Sequence, residues 1–324
     1  MRYLVTGGTG FLGGALVRQL VAAGHEVRAL VRARDRATAL ASLGVTLLEG
    51  DVTDRDSLLD PMRGVDGVFH VAGWYKLGAR DRGSAERVNV LGTRNVLEIA
   101  RQLGAPKVVH TSTLAVFGDT HGAVVDESYQ YEGPFISEYD RTKWLAHHTA
   151  LGLAREGMPI VLVQPGLIYG PADNGPMRPL WDLYLRRRLP VVPSETAFCW
   201  GHVEDTARGH LLAMERGRNA ESYIIAGPQH TLADAFAFAS RVTGIQPPRP
   251  IPAAILRSAA SVLDLVGLDA EALRVLGGVT YLGTSAKAQA ELGFTARPLE
   301  QGLREVLPGE MTGGNARPPQ TGAG

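Results

Sequence analysis

The stretch Thr6-Gly7-Gly8-Thr9-Gly10-Phe11-Leu12-Gly13 decides the fold that we expect for this chain. The apolar run Tyr3–Thr6 that leads into it is typical of a buried strand, and Phe11–Ala23 has the apolar spacing of a helix. A glycine-rich turn between a strand and a helix lets the backbone approach a pyrophosphate, which the free N–H groups of the helix then stabilise. The essential glycines are either Gly8, Gly10 and Gly13, or Gly7, Gly10 and Gly13.

Strands and helices alternate through the first half of the sequence without long interruptions. This alternation predicts an α/β fold in which a doubly wound parallel (Rossmann) sheet carries helices on both faces. The further strands that we expect are Val27–Val31, Thr46–Glu49, Gly67–Ala72, Lys107–Thr111 and Ile160–Gln164, and the long helices are Ala85–Leu103 and Ser137–Glu156.

The character of the sequence changes after Pro165, where proline and glycine cluster and helical patterns later predominate. We therefore predict a dinucleotide-binding domain over residues 1–165, with late strands contributed by 198–226. The candidates for these strands are Phe198–Val203 and Tyr223–Ala226. A smaller, mostly helical substrate-binding domain is expected over 166–307, and the Gly- and Pro-rich residues 308–324 are expected to be disordered.

The composition restricts the possible partners and the expected location of the protein. The 324 residues carry 33 basic and 33 acidic side chains, so the formal net charge of +0 argues against nucleic acid or an anionic membrane as partner. A single cysteine, Cys199, excludes an internal disulfide and argues against a cysteine-based metal site. The sequence has no apolar run of the ~18 residues that a membrane helix needs. Because Met1 leads almost directly into a strand, we expect no signal peptide and a soluble cytoplasmic protein without a metal.

The residues after the second strand bear on the choice of cofactor. An NAD site usually has an acidic residue there, about 20 residues past the glycine motif, to bind the ribose 2′-hydroxyl. This strand ends instead in Val31-Arg32, and Arg32 can meet a 2′-phosphate with Arg34 or Arg36 assisting. Asp35 can pair with these arginines or bind the ribose itself. We expect NADP, with NAD as the alternative.

The third strand is followed by Gly50-Asp51-Val52. At this edge of the sheet Asp51 can contact an adenine, or it can cap a helix over Asp54–Leu59.

Tyr139 and Lys143 lie four residues apart and therefore share one helix face. A free phenol has a pKa of about 10, and a nearby ammonium favours the phenolate and lowers that pKa. The same ammonium can bind a ribose hydroxyl beside the acid. The pair therefore indicates a proton donor for a redox cofactor, although such a pair also arises on exposed helix surfaces.

Other polar residues are weaker candidates for the site. Thr111-Ser112-Thr113 ends the fifth strand, where hydroxyls either face the ligand crevice or satisfy their own backbone. Asn89 can hold a water or a backbone carbonyl, or it can be exposed. The remaining candidates are His110, His147 and His148, which lack metal-ligand spacing and are interpreted as structural or surface residues.

Together these segments resemble the extended short-chain dehydrogenase/reductase superfamily, of the NAD(P)-dependent epimerase/dehydratase type. The matching segments occur in order along the chain: Thr6–Gly13, Gly50–Val52, His70–Gly73, Asn89–Val96, Thr111–Gly118, Tyr139–Lys143, Gln164–Pro171 and His202–Ala207. No single segment is specific, but the ordered set is.

The resemblance assigns roles to residues at matching positions. It implies that Tyr139 is the catalytic acid/base, that Lys143 activates it, and that Thr113 binds the reacting oxygen, with Ser112 as the alternative. The cofactor-binding positions that it implies are Gly7, Gly10, Phe11, Leu12, Gly13, Arg32, Asp51, Val52, Ala72, Tyr139, Lys143 and Pro165, and Pro165-Gly166 would border the nicotinamide. It also implies a homodimer formed by the two long helices.

Two departures from the family pattern distinguish its branches. Enzymes acting on sugar nucleotides typically carry a diphosphate-binding arginine where this chain has Phe198, and an arginine often stands at the position of Gln164. The Val-Arg end of the second strand and the Gln-Pro-Gly segment instead resemble the dihydroflavonol-reductase-like branch. Four aromatic residues can line a pocket for a flat or apolar substrate, or can simply pack: Trp74, Tyr75, Phe198 and Trp200.

The resemblance therefore implies an NAD(P)-dependent oxidoreductase that reduces a ketone or aldehyde, or oxidises the alcohol, with a small-molecule substrate. One alternative is a nucleotide-sugar epimerase or dehydratase that retains NAD. It would need a diphosphate-binding arginine elsewhere, and the candidates are Arg178, Arg186–Arg188, Arg208 and Arg274. A second alternative is a non-catalytic dinucleotide-sensing scaffold.

Overall fold

Thirteen strands are found in the computed structural model, which describes residues 1–75, 82–175, 177–256, 258 and 275–312. They are β1 (Arg2–Thr6), β2 (Glu26–Val31), β3 (Thr46–Glu49), β4 (Gly67–His70), β5 (Val108–Thr111), β6 (Ile160–Pro165), β7 (Leu167–Tyr169), β8 (Val191–Pro193), β9 (Ala197–His202), β10 (Ser222–Ile225), β11 (Gln229–Thr231), β12 (Arg249–Ile251) and β13 (Thr280–Tyr281). Seven of them form one parallel sheet in the order β10-β6-β5-β4-β1-β2-β3.

Helices cover both faces of this sheet, which confirms the predicted doubly wound fold. The α-helices are α1 (Phe11–Ala22), α2 (Thr38–Ala41), α3 (Leu59–Met62), α4 (Arg82–Ala85), α5 (Gly92–Gln102), α6 (Glu138–Arg155), α7 (Arg178–Leu185), α8 (Val203–Arg216), α9 (Leu232–Thr243), α10 (Ala286–Leu292) and α11 (Leu299–Thr312). Helices α1 and α8 pack on one face, and α5 and α6 pack on the other.

The central strands are apolar throughout because both of their faces are buried. On β1, Leu4 packs among side chains from α5 and α6, whereas Val5 packs on the face of α1 and α8. Both side chains are 0% exposed. A strand covered on both sides reads as a continuous apolar run rather than an alternating one, and such runs mark these strands in the sequence.

The strand order reverses between β1 and β4, and this reversal locates the ligand crevice. From β1 the chain builds outward through β2 and β3, and then crosses to β4, β5 and β6 on the other side. Ligands of open α/β sheets bind outside the carboxyl ends of the strands at such a reversal. At this point the Thr6 hydroxyl and His70 Nδ1 lie 2.8 Å apart in a buried hydrogen bond.

The two late strand candidates lie in different sheets. Tyr223–Ala226 corresponds to β10, which pairs with β6 in the large sheet. Phe198–Val203 corresponds to β9, which instead joins β7, β11 and β13 in a smaller sheet. From β9 the chain returns through α8 to the large sheet. The division into domains at residue 165 stays a prediction.

One predicted helix has an irregular middle, and one expected boundary was wrong. The helix predicted over Ala85–Leu103 is present as a continuous helical stretch made of α4, a π-helical segment over Glu86–Leu91, and α5. The disorder predicted from residue 308 does not begin there, because α11 continues to Thr312. Leu299, Leu303 and Leu307 anchor α11 in the core of the smaller sheet. Residues 313–324 lie outside the described part of the chain.

Candidate active site

The glycine turn after β1 is packed too closely for side chains at two of its positions. Gly7 has a φ of 73°, and a Cβ added to it would lie 2.6 Å from the amide nitrogen of Ala72. A Cβ on Gly13 would lie 2.1 Å from the Gly7 carbonyl oxygen. At Gly8 the nearest atom would be 3.4 Å away. The geometry therefore favours Gly7, Gly10 and Gly13 as the essential set.

The first turn of α1 faces this glycine turn. Gly10 is the N-cap residue, makes no side-chain cap, and donates its N–H to the Gly7 carbonyl at 2.9 Å. Phe11 follows half-buried and Leu12 is buried in the core. The first N–H groups of a helix have no acceptor within it, and they carry the positive end of the helix dipole. With no acidic residue in that turn, the arrangement suits a phosphate.

Arg32 directly follows β2, whose Leu30 pairs with Thr6 beside the glycine turn. Its side chain is exposed, as are those of Arg34, Asp35 and Arg36. Across the described ranges, the Arg32 guanidinium has no ion pair or hydrogen bond, and Asp35 pairs with no arginine. The competing interaction between Asp35 and Arg32 is therefore not formed, and the guanidinium is available to an anion.

Asp51 lies at the carboxyl edge of β3, where its Oδ1 accepts hydrogen bonds from the Thr53 amide and the Thr53 hydroxyl, both at 2.8 Å. This contact organises the turn after the strand. Asp51 does not cap the helical residues that follow, because neither Asp56–Leu58 nor α3 has a side-chain cap, and the adenine contact stays a prediction. Val52 is buried, and its carbonyl accepts a hydrogen bond from Asn95 at 2.9 Å. Both residues thus hold the edge of the crevice in place.

Tyr139, Thr113 and Lys143 lie together at the carboxyl end of β5. The Thr113 hydroxyl lies close enough to the Tyr139 phenol to lower its pKa, and it accepts a hydrogen bond from the Ala115 amide at 3.2 Å. Lys143, one turn further along α6, is 6% exposed and donates its Nζ–H to the Thr111 carbonyl at 2.7 Å. The structure thus brings the three predicted residues to one edge of the sheet.

Burial determines the protonation of this group. Desolvation raises the pKa of Tyr139 to about 12, with Thr113 opposing the shift and the Asp140 carboxylate adding to it. Desolvation also lowers the pKa of Lys143 to about 8, because the ammonium loses its hydration. Lys143 is not among the groups that shift the pKa of Tyr139 here, so its expected effect on the phenol stays a prediction.

Ser112 is directed away from the phenol. Its hydroxyl lies 2.8 Å from Nδ1 of His147, within the buried layer between β5 and α6. Desolvation lowers the pKa of His147 to about 3, so its imidazole is neutral. Of the two hydroxyls considered for the reacting oxygen, Thr113 is the one beside Tyr139. His148 is exposed and stacks on Trp144 at 3.8 Å between ring centroids.

Asn89 lies in the irregular part of the helix after β4. Its side chain is 1% exposed and lies in the π-helical segment. The Asn89 amide accepts from the Trp74 amide at 2.7 Å, and donates to the Trp74 carbonyl and to the Thr142 hydroxyl, both at 3.0 Å. Of the interpretations considered, contact with a backbone carbonyl is the one observed. Asn89 thereby ties the loop after β4 to helix α6.

The residues after β6 connect the crevice to the smaller sheet. Pro165 is buried at the end of β6. Gly166 follows, and a Cβ added to it would lie 2.3 Å from the Cys199 carbonyl oxygen. The backbones of the two sheets therefore meet beside the end of β6, at the edge where Tyr139 also lies.

The four aromatic residues proposed to line a pocket divide into two pairs. Trp200 is 0% exposed and donates its Nε1–H to the His230 carbonyl at 3.0 Å, and Phe198 is 5% exposed in the same core. For these two, the packing interpretation is the one observed. Trp74 is half-buried beside Asn89, and the exposed Tyr75 hydroxyl lies 3.3 Å from Oδ1 of Asn174.

Sequence reasoning gave no specific role to a buried polar layer under the crevice. His70 lies between Thr6 and Thr93 in hydrogen-bonding contact, and its ring is 5.3 Å from that of His110. Within the described ranges, the side-chain polar atoms of His110 and Gln164 have no hydrogen-bond partner. The sequence offers one signal for this layer, namely polar residues that interrupt or end the apolar runs of the buried strands.

The described residues contain no cluster of three or more His, Cys, Asp or Glu side chains arranged to hold a metal ion. Among the helices in the described ranges, none combines the length and apolar character needed to cross a membrane.

Residues 3–226 match the model of the "NAD dependent epimerase/dehydratase family". The chain belongs to this family. Its members are enzymes, and the named reductases among its relatives support an oxidoreductase activity. The match covers the whole large sheet together with the glycine turn, Thr113, Tyr139 and Lys143.

Two curated relatives align over nearly their full length. The chain is 36% identical to the "Putative dihydroflavonol 4-reductase" of Synechocystis sp., covering 94% of this chain and 93% of the relative. It is 33% identical to a 4-hydroxy-2-methyl-3-oxo-4-farnesyl-3,4-dihydroquinoline-1-oxide ketoreductase of Stigmatella aurantiaca, covering 98% and 99%. Among solved structures, gox2253 superimposes with a TM-score of 0.86 at 31% identity, covering 97% of this chain and 99% of that one.

The glycine turn gives a direct test of cofactor binding. We expect Gly13→Ala to weaken the binding of NADPH at least tenfold, because the added Cβ meets the Gly7 carbonyl and displaces the first turn of α1. Gly14→Ala is the matched control, since its Cβ would lie 3.5 Å from the nearest atom. Titration of nicotinamide fluorescence measures both affinities, and circular dichroism checks folding. Equal affinities in the two variants would contradict this role of Gly13.

Proposed function

We propose that this protein is an NADP-preferring oxidoreductase that reduces a ketone or an aldehyde, or catalyses the reverse oxidation of the alcohol. The observation that carries the proposal is the contact of the Tyr139 phenol with the Thr113 hydroxyl, one helical turn from the buried Lys143. This group lies at the same sheet edge as the glycine turn. A dinucleotide-sized ligand can therefore reach both.

The described residues fit a nicotinamide dinucleotide. Gly7 and Gly13 leave no space for side chains against the backbone, as a pyrophosphate cradle requires. In the proposal, Arg32 binds the 2′-phosphate, Lys143 binds the ribose, and Ala72 and Pro165 border the nicotinamide end of the crevice. When bound, the reduced cofactor supplies a hydride to the carbonyl carbon of the substrate.

Tyr139 supplies the proton that completes the reduction. Because burial raises the pKa of its phenol, Tyr139 is protonated at neutral pH and can donate to the carbonyl oxygen as negative charge develops there. Thr113 holds the same oxygen through its hydroxyl. The carbonyl carbon thus gains a hydride and its oxygen gains a proton, which balances the conversion of ketone to alcohol. In the oxidation direction Tyr139 takes the proton back.

Lys143 supports this proton transfer without taking part in it. Its ammonium is fixed by the Thr111 carbonyl, and its lowered pKa of about 8 keeps it mostly charged at neutral pH. We infer that it orients the ribose and, through it, the reacting ends of cofactor and substrate. Orientation of this kind contributes to rate by lowering the entropic part of the barrier.

The comparison with relatives favours a reductase over an epimerase or dehydratase. Two relatives named as reductases align over more than nine tenths of this chain. Phe198 and Gln164, which stand where sugar-nucleotide enzymes carry arginines, are both buried and uncharged. Of the other arginine candidates, Arg178 pairs with Asp182 at 2.9 Å, and Arg208 and Arg186–Arg188 are exposed. Arg274 lies outside the described residues.

The substrate that we propose is a small, uncharged and flat or apolar carbonyl compound. Trp74 is the one of the four predicted aromatics that is both part-exposed and fixed to helix α6 through Asn89 and Thr142. Tyr75 lies beside it and contacts Asn174 from the segment after β7. These residues provide an apolar wall that can stack against a planar molecule.

Cofactor preference is tested by titration with NADPH and NADH separately. We expect NADPH to bind more tightly, and Arg32→Ala to reduce that preference about tenfold, because the guanidinium is available for the 2′-phosphate. Arg63→Ala, an exposed arginine before β4, is the matched control and leaves the preference unchanged. Clear preference for NADH contradicts the assignment of Arg32. Purification with one retained NAD per chain would favour the epimerase or dehydratase alternative.

Tyr139→Phe is expected to reduce turnover of NADPH with a panel of aromatic and cyclic ketones by a factor of about 10² to 10⁴. The affinity for NADPH should fall far less than turnover, because the glycine cradle is unchanged. The matched control is Tyr129→Phe, which changes a tyrosine that packs against Phe117. Unchanged turnover in Tyr139→Phe, or no turnover of any carbonyl by the wild-type protein, would favour the non-catalytic scaffold.

We also propose a homodimer formed through α5 and α6, as the family resemblance implies. Leu91, the last residue of the π-helical segment directly before α5, is 41% exposed. Light scattering at micromolar concentration should give about twice the 34.6 kDa of one chain. A single species of monomer mass contradicts the dimer.

A further inference from the structure

The residue after the proposed proton donor is a buried carboxylate. Asp140 is 2% exposed and lies in the first turn of α6, where its amide donates to the hydroxyl of the N-cap residue Ser137 at 3.1 Å. A buried carboxylate is costly unless hydrogen bonds compensate its desolvation. Its proximity to Tyr139 makes its partners relevant to the chemistry.

Tyr281, from the distant strand β13, provides one of these partners. Its phenol donates to Oδ2 of Asp140 at 2.8 Å across 141 positions of sequence. The preceding residue, Thr280, is fixed from another side, since Asp119 accepts from its amide at 3.0 Å and its hydroxyl at 2.9 Å. Strand β13 is thus attached both to the start of α6 and to the segment that follows Thr113.

We propose that Tyr281 and Asp140 form a positioning pair that fixes the first turn of α6 and places a negative charge beside the Tyr139 phenol. This inference rests on the proposed role of Tyr139 as proton donor. Tyr281 and Asp140 are positioning residues in this scheme, since they act through Tyr139 rather than on the substrate.

The charges around Tyr139 are consistent with this role. The Asp140 carboxylate adds to the rise in the pKa of Tyr139 that burial produces, and the Thr113 hydroxyl opposes it. Burial and the carboxylates of Asp140 and Asp119 hold the pKa of Tyr281 well above its usual range.

Other titratable groups of the described residues lie near Asp140. Tyr131, from the loop before α6, also has a raised pKa because of burial and the same two carboxylates. On α6 itself, the guanidinium of Arg141 contacts Glu86 and Glu138, and Lys143 donates to Thr111. In this proposal the Asp140 carboxylate adds to the effect of burial in opposing ionisation of Tyr139.

A purely structural role is the competing explanation. An aspartate in the first turn of a helix stabilises the helix dipole whether or not a catalytic residue is nearby. The two explanations differ in whether the pKa of Tyr139 depends on the negative charge of Asp140. Asp140→Asn keeps the shape and a hydrogen-bond acceptor for Tyr281, but it removes the negative charge beside Tyr139.

We expect Asp140→Asn to lower the apparent pKa of Tyr139 by about one pH unit, because the phenolate no longer faces a like charge. Alkaline titration of the phenolate ultraviolet absorbance measures it, as the difference between each protein and its Tyr139→Phe counterpart. In alcohol oxidation, which needs the phenolate, the rise of rate with pH should shift toward lower pH by the same amount. An unchanged titration in a folded Asp140→Asn protein overturns the electrostatic part.

Tyr281→Phe tests the mechanical part, because it removes the hydrogen bond and keeps the carboxylate. We expect kcat for ketone reduction to fall about tenfold with little change in KM, since the first turn of α6 is less well held. The midpoint of the phenolate titration should not move toward lower pH. This variant also keeps the inference testable if Asp140→Asn does not fold.

Tyr223→Phe is the matched control for Tyr281→Phe. Tyr223 donates to Oε2 of Glu291 at 2.8 Å, the same type of bond, in β10 and away from Tyr139. It should lower the midpoint of thermal unfolding without lowering kcat. Equal losses of kcat in both variants would overturn the positioning role. Unchanged turnover in Tyr139→Phe would instead overturn the proposed function. If Tyr139→Phe is inactive but Asp140→Asn and Tyr281→Phe keep the wild-type turnover and phenolate titration, only the positioning role of Asp140 and Tyr281 is overturned.

Discussion

The close approach of Gly13 to the Gly7 carbonyl is the constraint on which the rest of the crevice depends. It brings the start of α1 against the end of β1, and Gly7 in turn packs against Ala72 at the end of β4. The reversal of strand order between β1 and β4 opens the sheet edge at the same place. Backbone atoms that no side chain separates therefore form one wall of the site, and polar side chains from β5 and α6 form the other.

Desolvation gives the second wall its chemical properties. Lys143 and Asp140 are almost completely buried within four residues of each other on α6, and Tyr139, next to Asp140, is half-buried. Burial disfavours the charged form of the phenol and of the ammonium alike, so the pKa of Tyr139 rises while that of Lys143 falls, and both groups shift toward their neutral forms. Nearby charges and hydrogen bonds then change the pKa of the phenol further, but less than burial does.

Most of the large sheet could be predicted because its strands are buried on both faces and appear as apolar runs, and the glycine turn could be placed because it joins a strand to a helix. The features that were missed depend on contacts distant in sequence. Asn89 binds Trp74 from a π-helical segment, and Asp140 meets Tyr281 across 141 positions. Phe198 and Trp200 were correctly seen as possible packing residues, but only the second sheet shows what they pack against. Local patterns carry no information about such partners.

The return of the chain from β9 through α8 to β10 affects how the protein is made. Strand β10 completes the sheet beside β6, and α8 covers the apolar face next to α1, yet both follow the first strands of the smaller sheet. During synthesis, the nucleotide-binding half therefore stays incomplete, with an open strand edge and an uncovered apolar surface, until about residue 225 has left the ribosome. A chimaeric protein that takes the later part of its chain from a relative must therefore keep α8 and β10.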